Sequence, residues 1–457
     1  MQERVFLPNK QINDDLLKGS FETPWWYLAW MGLFAALTAW GMFAFGYAIN
    51  KGLGVTGLNR PIMWGFFLTD FIFWVGISHA GVMLSAILRL AKAEWRRPAT
   101  RAAELLTVLS LMVSALHPIF HLGRPWRFYW PFPYDFSRGI WPDVRSPLVW
   151  DPHAIFTYLI GSTLFVIIAL IPDIAVLRDK TKGVAKVFYG ALAMGWRGTP
   201  RQWKIQIVAG FLLSGLLLPV FVSVHSIVAW DFAVNIGTEG WHVTIFAPYF
   251  VIGAVHSGVS GVVTMLILLK WMFKWDDYIR QEHLESLAKL LIVIATVWFY
   301  FFFLEFIFAL YNLEDQEIAL RELQSFTWPY NLIAFIFLFF GYLIPVPLWL
   351  FRRVRRNWTA MFITSIMVNI GMWCERFLII VPGLARKTNF NFSWGSYTPS
   401  WVEISIVVAC FSLIFLLIMS FAKVFPLIPL FDIKEGQTLS DEIQIGKRTV
   451  PALRVEE

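Results

Sequence analysis

The side chains best placed to do chemistry in this chain are histidines and carboxylates set inside, or at the ends of, long apolar runs. One stretch reads Ser114-Ala115-Leu116-His117-Pro118-Ile119-Phe120-His121-Leu122-Gly123-Arg124-Pro125-Trp126. His117 and His121 are spaced i, i+4, which puts both rings on one face of a continuous helix. Pro118 between them either kinks that helix or marks its end. Further on, Asp151 stands in Trp150-Asp151-Pro152-His153. Imidazole, carboxylate and the guanidinium of Arg124 together could orient a hydroxyl-bearing ligand and accept its protons. The alternatives are interfacial histidines bonded to backbone, and an Asp-Pro pair that simply starts a helix.

A second set lies deeper. Asp70, His79, His225, His256 and Glu305 all fall within apolar segments. Glu305, among Phe301-Phe302-Phe303-Leu304 and Phe306-Ile307-Phe308, must be paired, protonated or facing a wet cavity. These groups at different depths could carry protons through the protein; the alternative is hydrogen bonding between packed helices. The neighbours Glu375 and Arg376 read as a structural ion pair. His79 and His256 also sit in matching fragments, Gly76-Ile77-Ser78-His79-Ala80-Gly81-Val82 and Gly253-Ala254-Val255-His256-Ser257-Gly258-Val259. Both spell Gly-x-x-His-x-Gly-Val, four spans apart, as expected of an internal repeat of two four-helix bundles with sites near the repeat interface.

The elements that must hold these groups are membrane helices. Of 457 residues, 58% are hydrophobic and 15% charged, against about 25% charged in soluble domains. Apolar runs recur from end to end, so the expected fold is an all-α polytopic membrane protein. Ten spans are expected, near 25–49, 62–90, 102–120, 152–172, 204–230, 243–272, 288–310, 330–350, 359–381 and 401–425. The expected organisation is an N-terminal segment 1–24, a membrane domain 25–425 with bundles at about 62–230 and 243–381, and a polar tail 426–457.

Basic clusters follow spans 2, 4 and 8, which places both termini in the cytoplasm and the loop from His121 to Asp151 on the outer face. That loop, rich in Pro, Trp and Arg, is expected to form a structured cap. The net charge of +7 is accounted for by these short loops and implies no nucleic acid. The polar N-terminus lacks the order of a signal peptide, so the first helix is expected to remain a span.

Cofactor signals are sparse. Two cysteines, Cys374 and Cys410, exclude an all-cysteine iron–sulfur cluster or a four-cysteine zinc site within the chain. A di-haem cytochrome needs two facing histidine pairs, and only His79 and His256 match in depth. No haem, iron–sulfur cluster or metal is therefore expected in this chain.

At these residues the chain resembles the NrfD/PsrC family of integral membrane quinone-reactive subunits, and within it the ActC-like membrane subunits of alternative complex III. The carrying stretches are Gly76 to Gly81, Ala93-Glu94-Trp95-Arg96-Arg97-Pro98, His117 to Trp126 and Arg145-Ser146-Pro147-Leu148-Val149-Trp150-Asp151. The resemblance implies two four-helix bundles, spans 2–5 and 6–9, plus two outer helices, in a bacterial inner membrane. It implies menaquinol or another quinone as substrate near the periplasmic face, with His121 and Asp151 as the site pair and His117, Arg124 and His79 in support. It also implies partners: a periplasmic iron–sulfur subunit, multihaem cytochrome c subunits and a second NrfD-type membrane subunit. Three rivals stay open: the membrane subunit of a molybdopterin or polysulfide-type reductase, a secondary transporter and a purely structural anchor.

Overall fold

The structure is a computed structural model that describes residues 7–129, 132, 149–238, 240–385, 395–438, 441–445 and 448–452. Among these, ten helices are long and apolar enough to cross a membrane. A short helix α1 (Asn9–Phe21) precedes α2 (Trp25–Lys51), α3 (Gly65–Leu90), α4 (Arg97–His121) and α5 (Trp150–Lys180). A ten-residue helix α6 (Gly183–Leu192) leads to α7 (Pro200–Ile236), α8 (Phe246–Phe273) and α9 (Gln281–Asn312). Then come the short α10 (Asp315–Phe326), α11 (Tyr330–Leu350), α12 (Trp358–Ala385), α13 (Trp401–Val424) and α14 (Leu430–Thr438). The tail ends in a two-stranded antiparallel hairpin that pairs Asp441 with Ala452 and Ile445 with Arg448.

Several helices outrun their sequence limits. The expected spans stop at charged residues, yet α4 begins at Arg97, α5 runs to Lys180, and α7 runs from Pro200 to Ile236. The charged residues continue the helices because they are paired: Arg97 bonds Glu94 at 2.5 Å and Glu435 at 2.8 Å, and Lys180 pairs with Asp14. The expected cap over 121–151 falls mostly outside the described residues.

The core sits around α3. Its apolar window is 89% buried, against 11% for α2. It packs on α4, α8 and α12, while α2 packs on α13 at the periphery. The two matched glycine fragments are where α3 and α8 cross. A Cβ on Gly258 would stand 2.9 Å from the Ala80 nitrogen, and one on Gly76 would stand 3.2 Å from Ser257 Oγ. Small residues let the backbones approach, which is how helices associate where lipid removes the hydrophobic driving force. Gly258→Leu is therefore expected to cost about 1–3 kcal/mol by overpacking, seen as a lower thermal midpoint in detergent. Gly32→Ala, with nothing within 4 Å of the new Cβ, should leave that midpoint unchanged.

Among the described residues, α1 and α14 lie on one face. Tyr278 donates to Asp15 at 2.9 Å, Lys423 donates to the carbonyls of Gly19 and Glu22 at 2.8 and 2.7 Å, and Arg97 reaches the Asp432 carbonyl at 3.0 Å. The turns after α2, α4, α7 and α9 then lie on the opposite face.

Candidate functional site

At the end of the bundle opposite α1 and α14, α4 continues past Pro118 and stops at His121, so both rings share a face. Each is held by the carbonyl one turn back. His117 Nδ1 donates to Val113 O and His121 Nδ1 to His117 O, both at 2.9 Å. A carbonyl only accepts, so both Nδ1 atoms carry hydrogen and both Nε2 atoms are left for other partners. The two nitrogens face different surroundings. His121 Nε2 is buried with no hydrogen-bond partner among the described residues, beside the Phe67 ring at 5.5 Å. Gly123 then turns the chain with φ of +59°, and Leu53 Cγ is 2.7 Å from where its Cβ would be, so only glycine fits. The Arg124 side chain is exposed.

Asp151 lies in the first turn of α5, but its carboxyl does not cap the helix; Val149 occupies the cap position without a side-chain bond. The Asp151 carboxyl instead lies within interacting distance of the Asp231 carboxyl of α7, and Asp151 Oδ1 is buried with no partner among the described residues. Two carboxyl groups so close repel when both are ionised, which favours a single proton held between them. Asp231 is 1% exposed and was not a candidate from sequence, because the expected span ended at 230. Both groups lie near the start of α3, where Phe67 meets His121 and Trp64 meets Phe232, the neighbour of Asp231, at 5.8 Å.

His117 belongs to a second, fully buried cluster. Its Nε2 lies 3.0 Å from Asp70 Oδ2. With Nδ1 already donating to Val113, this contact needs one more proton, on Nε2 or on the carboxylate. Trp74 and Trp373 donate to the two Asp70 oxygens at 3.2 and 3.3 Å, and the Cys410 thiol lies 3.9 Å from His117 Nε2. The same two indoles line an apolar cavity of about 900 Å³ between α2, α8, α12 and α13. Asp70, His117 and Cys410 offer three ligand atoms within 4.8 Å of one another, a donor set zinc accepts. Here both Asp70 oxygens already accept indole hydrogens and a proton joins Asp70 to His117, so the arrangement as built is a proton pair.

The deep histidines separate into distinct settings. α3 breaks at Ser78, and its freed carbonyl accepts from Thr107 at 2.6 Å and Tyr158 at 3.0 Å, before a π-helical turn over Val82–Ile87. His79 sits at this break, a common place for functional side chains. Its Nδ1 and Nε2 face the carbonyls of Val75 and Phe221 at 2.8 and 3.0 Å, and a neutral ring has a hydrogen for only one of them. His225 stacks edge-on to His79 at 4.6 Å. Neither His225 nor His256 has a ring-nitrogen partner among the described residues. His256 lies 5.4 Å from the Trp298 ring, apart from the α3 break.

Glu305 is paired with Arg321 of α10 at 2.8 Å. Burial pulls the Arg321 guanidinium down, but Glu305 and Glu317 more than offset it and hold it above its ordinary value. Burial also raises the Glu317 carboxyl, against the pull of Arg321. Glu375 and Arg376 do form an ion pair, at 3.3 Å, and Glu375 also accepts from Tyr249 and from Trp298, the latter at 3.0 Å.

One further cluster, in the half of the bundle nearer α1 and α14, went unread in the sequence. Arg101 bonds Asp173 at 3.0 Å and stands 3.7 Å from Glu104, while Ser85 donates to Glu104 at 2.5 Å. Arg101 and Glu104 fall at the edge of an expected span beginning at 102, where charge reads as loop. Their i, i+3 spacing was the available signal.

Comparison with known proteins agrees with this architecture. The family model described as polysulphide reductase, NrfD, matches residues 54–387. A Halobacterium salinarum chain named as a dimethyl sulfoxide reductase membrane subunit is 25% identical over 87% of this chain and 91% of its own length. The Hdr-like menaquinol oxidoreductase integral membrane subunit of Archaeoglobus fulgidus is 21% identical over 88% and 94%. The menaquinone reductase integral membrane subunit of Nitratidesulfovibrio vulgaris is 22% identical over 88% and 92%. The family match covers most of the chain, including α3 to α9 and the elements that carry His121, Asp151, Asp70 and Glu305, and the protein is a polytopic helical membrane member of the NrfD family.

Proposed function

We propose that this chain is the quinone-reactive membrane subunit of an oxidoreductase complex, and that it oxidises menaquinol or a related quinol beneath the outer face. One observation carries the reading. His121 Nε2, an acceptor by its tautomer, and Asp151 Oδ1 are both buried and unpartnered among the described residues at the same end of the bundle. Buried acceptors left unmade are costly, and a dihydroxy ring supplies two O–H donors. Two relatives carry menaquinol or menaquinone in their names.

In this reading His121 and Asp151 hold the two hydroxyls and take their protons as two electrons leave for a partner's redox centre. The neighbouring Asp231 gives the arriving proton a second carboxyl to occupy, so Asp231 joins the site. His117 and His79 stand behind the pair, and Arg124 at its rim. Protons then leave on the periplasmic side, both termini lie in the cytoplasm, and the membrane is a bacterial inner membrane. Asp70, His225, His256 and Glu305 are the groups through which quinol chemistry would couple to proton translocation.

The partners under this proposal are a periplasmic iron–sulfur subunit, multihaem cytochrome c subunits and a second NrfD-type membrane subunit, as in alternative complex III. Spans α3–α5 with α7, and α8, α9, α11 and α12, are the two bundles of the proposed repeat. A second reading, the membrane subunit of a molybdopterin-type reductase, is favoured by the dimethyl sulfoxide reductase name of one relative. Gentle purification with identification of bound subunits decides between them. Co-purifying iron–sulfur and multihaem chains support the first reading, and a molybdopterin chain supports the second. A subunit that purifies alone and drives solute uptake contradicts both.

A further inference from the structure

Helix α6 lies on the face that carries α1 and α14 and takes no part in the chemistry above. One side of the segment is anchored. Tyr189 donates to the Val424 carbonyl at 3.0 Å, and Arg178 donates to the Trp196 carbonyl at 2.8 Å. The other side presents Val184, Val187, Phe188 and Ala191, spaced i, i+3, i+4, i+7, with Met194 just beyond. Val184 is 88% and Val187 73% exposed. Such a stripe on an interfacial helix marks a face immersed in something apolar.

Five cations surround it: Lys182, Lys186, Arg197, Arg201 and Lys204, none of them buried. None of them takes part in an ion pair among the described residues. Other basic clusters on this face have acidic partners within the chain, even where several cations share one carboxylate. Arg352, Arg355 and Arg356 converge on Glu285, and Arg96 and Arg97 meet Asp432 and Glu435. The segment around α6 is thus an apolar stripe ringed by positive charge that the described residues leave unbalanced.

We propose that this segment is a binding site for anionic phospholipid. α6 lies in the plane of the leaflet surface, with Val184, Val187 and Phe188 among the acyl chains and the five cations on headgroup phosphates. Lysine and arginine suit this geometry because their stems lie along apolar surface while the charge reaches the headgroups. Charge complementarity selects the lipid: a protein partner would have to bring an apolar face together with several acids to the membrane boundary. The site is independent of the quinol reading, since none of its residues touches the outer-face site.

The test places the assembled complex in nanodiscs of phosphatidylcholine with a minority of phosphatidylglycerol, and identifies the lipids retained after mild delipidation. Wild type should enrich phosphatidylglycerol. Each cation near the surface contributes about a fivefold preference. The combination Lys182→Gln, Lys186→Gln and Arg201→Gln should therefore weaken retention on the order of a hundredfold and abolish the enrichment. Lys182→Arg with Lys186→Arg, which keeps the charge, should retain it. Quinol turnover should persist in both variants. Absence of enrichment in wild type overturns the proposal without any variant. So does equal enrichment in wild type and the triple variant, or cross-linking of Lys182 and Lys186 to a neighbouring protein chain.

Discussion

His121→Ala lowers quinol oxidation by about 10²–10⁴-fold, the range over which a positioned proton acceptor contributes, while the subunit still assembles with its partners. The loss is confined to chemistry because His121 makes one bond to its own helix and leaves its outward nitrogen unpartnered; no other described side chain depends on it. Asp151→Asn is expected to act the same way, since the amide keeps the shape but cannot accept a proton. Asp231→Asn should show a smaller fall, because it removes the second carboxyl and leaves Asp151 to receive the proton alone. The fall should appear in kcat more than in KM if Asp231 serves proton transfer rather than binding. Wild-type turnover in an assembled His121→Ala or Asp151→Asn complex would remove these residues from the site.

The largest effect on stability is expected at Arg101. Its side chain and those of Asp173 and Glu104 are 1%, 2% and 1% exposed. Arg101→Ala strands two carboxylates in the interior, and breaking a buried pair in this way costs about 3–5 kcal/mol. A cost of that size is a large part of the stability of a typical domain, so the variant should accumulate poorly and unfold at much lower temperature in detergent. Combining Arg101→Met with Asp173→Leu and Glu104→Gln should recover much of the loss, because a buried charged cluster and a well-packed neutral substitute are close in energy. A single variant with an unchanged thermal midpoint would show that these charges are solvated rather than paired.

The spans were legible in the sequence because lipid allows few solutions to backbone hydrogen bonding, and long apolar runs follow directly from that. Helix ends were less legible. Asp231 and Arg101 both fall one residue outside the expected spans, since a charge next to an apolar run looks like the water interface until its partner in another helix is known. The partners come from distant segments, Asp231 to Asp151 and Arg101 to Asp173, and no local spacing records them. The opening histidine pair shows the same limit. Spacing placed His117 and His121 on one face, which the helix confirms. It could not show that His117 turns to Asp70 while His121 keeps a free acceptor, because that choice rests on α3. Glu305 was correctly required to have a partner or a wet cavity, and Arg321 supplies the partner from α10. The glycine fragments pointed to close packing, and α3 and α8 do meet there.

The central claim is that quinol binds between His121 and Asp151. The most direct test is photo-crosslinking of the assembled complex with an azido-quinone, followed by mass-spectrometric mapping of the adducts. The account predicts adducts on the C-terminal turn of α4 around His121 and on the first turns of α5 around Asp151, suppressed by excess menaquinone and lost in Asp151→Asn. Adducts confined to α8 through α12, with none near His121 or Asp151, would contradict it.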